Sequence, residues 1–275
     1  MYRATDCRAN YRVMYMNIKN ISVGDSTIEV FISGSGEGLV LLPGLGVDVS
    51  IYEDLIPRLN KAGYKIICLN YRGIGGSVGS IQNLTLHDYA DDVAGVIQYL
   101  GIGPIHVVGA AFGNRVARCF AQDYPGLVKS VVLISAGGLI GPDPDVAPIF
   151  QKMLTSGLED MTDQEKREMI GLVLYSPATD ISKVRYPGKV WYDAIPSQAY
   201  AAQVTKLNDW WAGGNAPMLI IQGLDDRVAP PGNGRDLQSE FGERIKLIEV
   251  ENAGHALLDE WPEIIADSIV SYLNG

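Results

Sequence analysis

Cysteine is scarce in this sequence, with three in 275 residues, Cys7, Cys68 and Cys119, odd in number and without a C-x-x-C pair. That spacing suggests neither a disulfide framework nor a zinc site, and it fits a reducing compartment. Long apolar runs are missing as well. No stretch approaches the roughly 18 uninterrupted apolar residues of a membrane span, and the opening residues show no apolar core ahead of a small-residue cleavage site. A cytoplasmic protein with no membrane partner is therefore expected. Positive charge is in deficit, 22 Lys plus Arg against 32 Asp plus Glu, and the net charge of −10 argues against a nucleic-acid partner. No Gly-x-Gly-x-x-Gly opens a helix in the first β-α-β unit, so NAD is not expected either.

What remains is the composition of a soluble globular protein, 47% hydrophobic and 20% charged, long enough for one large α/β domain or two small ones. Residues 1–16 carry scattered Arg, Tyr and Met without periodicity and read as an N-terminal arm, or as an extension upstream of a start at Met14 or Met16. From Ile18 onward, short apolar runs alternate with helical patterns. Strands are expected at 28–33, 39–42, 65–69, 105–108, 131–134, 218–221 and 246–250, with helices at 50–62, 86–100, 114–124, 234–241 and 262–273. This order predicts a mostly parallel sheet covered by helices on both faces. It breaks once, between Ile134 and Met218. There the capping-box spacing of Thr162 and Glu165 starts a helix, and residues 137–214 read as a helical lid inserted into a core of 17–136 and 215–275. Tyr175, Trp191, Tyr192, Trp210 and Trp211 within it either line a pocket or pack the lid onto the core.

The most informative segment runs from a buried strand through Gly109-Ala110-Ala111-Phe112-Gly113 directly into a helix. Gly-x-x-x-Gly between strand and helix is the setting of a nucleophile elbow, a turn sharp enough to lift its central side chain above the sheet edge. Here the chain resembles the α/β-hydrolase superfamily, from about Ile18 to Leu273, with alanine at the central position, Ala111. Three further segments support the resemblance. Leu41-Leu42-Pro43-Gly44-Leu45-Gly46 is similar to the family's oxyanion loop, which implies backbone N–H groups of Leu45 and Phe112 as an oxyanion hole. Asn70-Tyr71-Arg72-Gly73-Ile74-Gly75-Gly76-Ser77 resembles a structural turn that shapes the pocket floor. Gln222-Gly223-Leu224-Asp225-Asp226 and Gly254-His255 resemble the loops that carry the triad acid and base, which implies Asp226 as the orienting acid, His255 as the general base, and Asp225 turned away from the histidine.

The other titratable groups have blander readings. His106 lies within a strand and is expected to have a satisfied ring nitrogen. His87, Asp91 and Asp92 read as a capped, solvated helix face, and Cys119 faces core or sheet.

Alanine at the elbow closes the acyl-enzyme route, because no Oγ is present to form the bond to carbon. Three explanations stand: an engineered replacement of serine, an enzyme in which His255 acts directly on water or a substrate proton, or a silent binding protein. A run with histidine at the preceding position would make Ala110 the unusual residue instead. The resemblance implies an enzyme acting on a small to medium ester, lactone or related carbonyl compound, without metal or organic cofactor, as monomer or homodimer. Its expected site comprises Ala111, Asp226 and His255, with Gly44, Ala110, Trp191 and Trp210 touching substrate.

Overall fold

The computed structural model of the chain describes residues 16–155, 158, 161–182 and 189–275; the expected arm, Met16 apart, lies outside them. In chain order the strands are β1 (Asn17–Val23), β2 (Ser26–Ser33), β3 (Glu37–Leu42), β4 (Tyr64–Leu69), β5 (Ile105–Ala110), β6 (Val128–Ile134), β7 (Met218–Gly223) and β8 (Ile245–Val250). They form one sheet in the order β1-β2-β4-β3-β5-β6-β7-β8. β1 and β2 run antiparallel to their neighbours, and every pairing from β4 through β8 is parallel.

The continuous apolar runs exist because the central strands are buried on both faces. Alternate side chains point to opposite sides. Val40 and Leu42, Val107, Val131 and Leu133, and Met218 and Ile220 enter one core, while Leu39 and Leu41, Val108, Val132 and Ile134, and Leu219 and Ile221 enter the other. The first core is covered by α2 (Leu86–Leu100) and α3 (Phe112–Asp123), which pack on each other. The second is covered by α1 (Leu55–Lys61) and by α9 (Pro262–Asn274), the last helix of the chain. The helix expected over 50–62 is interrupted: Val49–Tyr52 forms a 3-10 turn and α1 begins only at Leu55. Pro57 is the reason, since it has no N–H to continue a helical ladder and is tolerated only in a first turn.

Between β6 and β7 the described residues hold α4 (Ala147–Thr155), α5 (Asp163–Leu174), α6 (Ile195–Val204) and a 3-10 turn at Leu207–Asp209. The expected capping box starts α5, with Thr162 accepting from the Glu165 N–H and the Glu165 carboxylate accepting from Thr162. After β7 come α7 (Gly232–Phe241) and, beyond β8, the short α8 (Leu257–Glu260).

The sheet reverses direction of growth between β3 and β5. A crevice opens outside the carboxyl ends of strands at such a point, and the loops after β3, β5, β7 and β8 all lie at that edge.

Candidate active site

The elbow is formed. Ala111, between β5 and α3, adopts φ 49° and ψ −111°, a region that costs a residue with a side chain of order 1–3 kcal/mol. Its N–H donates to the Ile134 carbonyl at 3.0 Å. The flanking glycines are required by close backbone approach: a Cβ on Gly113 would stand 2.2 Å from the Leu42 carbonyl oxygen, and one on Gly109 would stand 2.3 Å from that of Gly113.

Asp226, 2% exposed, lies in the loop after β7. Its Oδ1 accepts the N–H groups of Val228 at 3.0 Å and Ala229 at 2.7 Å, and its Oδ2 accepts Gln222 Nε2 at 3.2 Å. His255, in the loop after β8, donates from Nδ1 to the same carboxylate at 2.9 Å and 3.1 Å. An acid that only accepts fixes the tautomer, leaving Nε2 as the basic nitrogen. Burial disfavours the imidazolium, but the charge and hydrogen bond of Asp226 and the charge of Glu260 outweigh it, so the pKa of His255 is raised above the ordinary histidine value.

Residues far apart in sequence hold this pair in place. Ser135, at φ 53°, donates from Oγ to the His255 carbonyl at 2.9 Å. Gln222, fully buried at the end of β7, accepts the Ala136 N–H and donates to Asp226 and to the Ala229 carbonyl. Glu260 accepts the Gly254 N–H at 2.6 Å, the Ser176 N–H at 2.8 Å and the Thr179 hydroxyl at 2.6 Å, joining the histidine loop to the segment between β6 and β7. Sequence reading assigned none of these three a role; a lone glutamine in the apolar run of β7 was the one available signal. Asp225 turns away as expected, accepting the Ser176 hydroxyl at 2.6 Å.

Ala111 and His255 face one cavity of about 1250 Å³, together with Gly44, Leu45, Ala110 and Trp191. The loop after β3 is pinned from the segment between β6 and β7: Gly46 donates its N–H to Gln198 Oε1 at 2.7 Å, and its carbonyl accepts the Trp191 N–H at 2.8 Å. The ring of Phe112 packs edge-on against Tyr71 and Tyr89 in the core. That leaves its backbone N–H, the first of α3 and without an intrahelical acceptor, at the elbow. Phe150, Leu158, Tyr175, Tyr192 and Ile195 bring the insertion over the cavity.

Some expectations are corrected. Trp210 does not reach the cavity. It is 3% exposed and sits under the guanidinium of the fully buried Arg118, 4.5 Å from its ring centre, with Trp211 beside it. Arg118 bonds the Gly137 carbonyl at 2.6 Å, so the cation ties both ends of the insertion to α3 and the tryptophan serves as its lid. Asp92 is not solvated: it is 1% exposed, paired with Arg72 at 2.7 Å and bonded by Ser26. His106 is satisfied as expected, by Ser130 at 2.7 Å and Glu37 at 3.1 Å.

A family model described as alpha/beta hydrolase fold matches residues 38–168. A 2-(acetamidomethylene)succinate hydrolase of Mesorhizobium japonicum is 34% identical over 269 residues, spanning 94% of this chain and 95% of that protein. A 2-hydroxy-6-oxononadienedioate/2-hydroxy-6-oxononatrienedioate hydrolase of Burkholderia vietnamiensis is 28% identical over 72% of this chain and 74% of its own length. Among solved structures, that of an E-2-(acetamidomethylene)succinate hydrolase superposes with a TM-score of 0.76 at 20% identity, covering 95% of this chain and all (100%) of that one. An esterase from Exiguobacterium antarcticum superposes with a TM-score of 0.75 at 22% identity, over 94% and 99%. The chain belongs to the alpha/beta hydrolase family. Its homologues are named hydrolases, and among the described residues no helix is long and apolar enough to cross a membrane.

Proposed function

We propose that this chain is an enzyme of the hydrolase family in which His255, held by Asp226, acts directly as general base in the cavity, on a water molecule or a substrate proton. The substrate is a small to medium, partly apolar carbonyl compound such as an ester or lactone. The observation that carries this reading is the intact Asp226–His255 pair, 2.9 Å apart, opening onto the same cavity as an elbow whose residue has no Oγ. A protein that only binds has no physical need for an oriented base. Charge developing on the substrate oxygen would be met by the N–H groups of Leu45 and Phe112, which supply electrostatic stabilisation whether the attacking atom is water or a side chain. The apolar lining from Phe150, Leu158 and Ile195 suits a hydrocarbon portion, and the volume of about 1250 Å³, above the roughly 300–1,000 Å³ of ordinary small-molecule sites, leaves ample room for such a substrate. Relatives are named as hydrolases of 2-(acetamidomethylene)succinate and of 2-hydroxy-6-oxononadienedioate, both carbonyl compounds, which supports a carbonyl substrate here.

Turnover of a panel of aryl esters and lactones by the parent, His255→Ala and Ala111→Ser tests the reading. The parent is expected to act without a covalent adduct in intact-protein mass spectra and to lose about 10²–10⁴-fold activity with His255→Ala. Ala111→Ser is expected to gain ester hydrolysis that again requires His255, now through a detectable acyl adduct. A parent whose activity survives His255→Ala unchanged would sink the proposal.

A further inference from the structure

We propose that His87, Cys119 and Asp123, at the far end of α3 from the elbow, form a binding site for a zinc-type divalent cation, with Asp209 orienting the histidine. Nδ1 of His87, Sγ of Cys119 and Oδ2 of Asp123 converge from two helices, with S–N and S–O separations of 3.5 Å and an N–O separation of 2.7 Å. Tetrahedral zinc with ordinary bond lengths places sulfur about 3.5 Å from nitrogen or oxygen ligands, and nitrogen about 3.3 Å from oxygen. Two edges of the triangle already have the length of a coordination polyhedron. The third is short because a proton bridges His87 and Asp123, and replacing that proton with a cation opens it by about 0.6 Å.

The surroundings fit the same occupant. Asp209, from the 3-10 turn at Leu207–Asp209, lies 3.8 Å from Nε2, the histidine nitrogen that does not face the cluster, an ion-pair separation that a small side-chain adjustment would close to a hydrogen bond. A carboxylate behind the far nitrogen of a ligating histidine is the usual outer-shell arrangement at zinc. Cys119 is fully buried, whereas 40% of the His87 side chain and 24% of the Asp123 side chain are exposed, so the donors form a cup that opens to solvent on one side. A fourth position on that side would be filled by water. The cysteine spacing in the sequence pointed away from zinc, and only the packing of α2 on α3 assembles the donors.

Residue Cys119 is eight positions beyond Ala111, about 12 Å along α3, so this site is separate from the candidate active site. Its occupant would fasten α2, α3 and the returning end of the insertion together.

The test uses the full chain carrying Cys7→Ser, which leaves the fully buried Cys68 and Cys119 as its thiols. Co(II) titration should give one equivalent bound, with tetrahedral visible bands and a thiolate-to-cobalt charge-transfer band. Cys119→Ser should abolish that band, and competition with a chromophoric chelator should show zinc affinity reduced at least tenfold. Half-exposed His87 allows His87→Ala as a second variant that spares the core, with the same loss expected and the fold checked by circular dichroism. Asp209→Asn should weaken binding about tenfold. An octahedral cobalt spectrum with no sulfur band, or zinc affinity unchanged by His87→Ala, would overturn the proposal.

Discussion

At φ 49° and ψ −111°, Ala111 holds a conformation that glycine adopts freely and alanine does not. Strain of about 1–3 kcal/mol is offset in an Ala111→Gly variant by a loss of about 0.5–1 kcal/mol from the freer unfolded chain. A net stabilisation of about 1 kcal/mol is expected in urea unfolding, and a less stable variant would show that the turn is not strained. Asp226→Asn acts on chemistry instead. The carboxylate favours the imidazolium, so with His255 as the proposed base the parent's rate should rise with pH through a value above that of an ordinary histidine. Removing the charge lowers the pKa of His255, and the acid limb of the pH–rate profile moves to lower pH. Turnover falls by about 10²–10⁴-fold because the tautomer is no longer fixed. A limb that stays in place would mean that a different group sets the profile. The positions of Ala111, Asp226 and His255, the last two bonded to each other and Ala111 and His255 on one cavity, were legible because local backbone geometry writes such places into short motifs, whereas their roles belong to the proposed function. Ser135, Gln222 and Glu260 were not, since each acts through partners that only folding brings near; the Ser135 hydroxyl meets a carbonyl 120 positions away.

Strands β2 to β8 and the two layers of helices were legible at the level of elements, because burial leaves apolar runs in the central strands, whereas β1, exposed over most of its length, carries none. The insertion was legible as a gap and through one capping box, but not in its packing. An aromatic residue in a helical segment does not disclose which face it meets, and Trp210 lies beneath Arg118 while Trp191 lines the cavity. The contact between α3 and β3 is where a small change is least tolerated. Gly113→Ala would put a Cβ 2.2 Å from the Leu42 carbonyl oxygen and 2.6 Å from that of Pro43, both backbone atoms in the core. A loss of about 4 kcal/mol or more is expected. Gly126→Ala, where a Cβ meets nothing within 4 Å, serves as the control and should change stability by less than about 0.5 kcal/mol. Equal effects in the two variants would refute the claim that close approach, rather than helix or turn propensity, requires the elbow glycine.

For the molecule as a whole, the strand-end loops supply Ala111 and His255 while the segment between β6 and β7 supplies much of the apolar lining, so an occupant that fills the cavity is expected to touch both. These parts are also joined directly, by Gly46 to Gln198 and by Glu260 to Ser176 and Thr179. A ligand that binds only the folded chain stabilises it by about 2.7 kcal/mol at a concentration 100 times its dissociation constant. Because that ligand bridges the two parts, slowed amide exchange should not be confined to one of them. Protection should appear in α4, in α6 and in the Gly254–His255 loop together, while the buried strands β5 and β6, slow already, change little. A substrate analogue or product that turnover assays identify, added to the parent at saturation, allows the pattern to be read by hydrogen–deuterium exchange. Protection of the sheet loops alone would place the ligand at the strand ends without the segment between β6 and β7. Trp191 would then have no part in recognition, and Trp191→Ala should leave KM unchanged; protection of both parts predicts instead a raised KM with kcat retained.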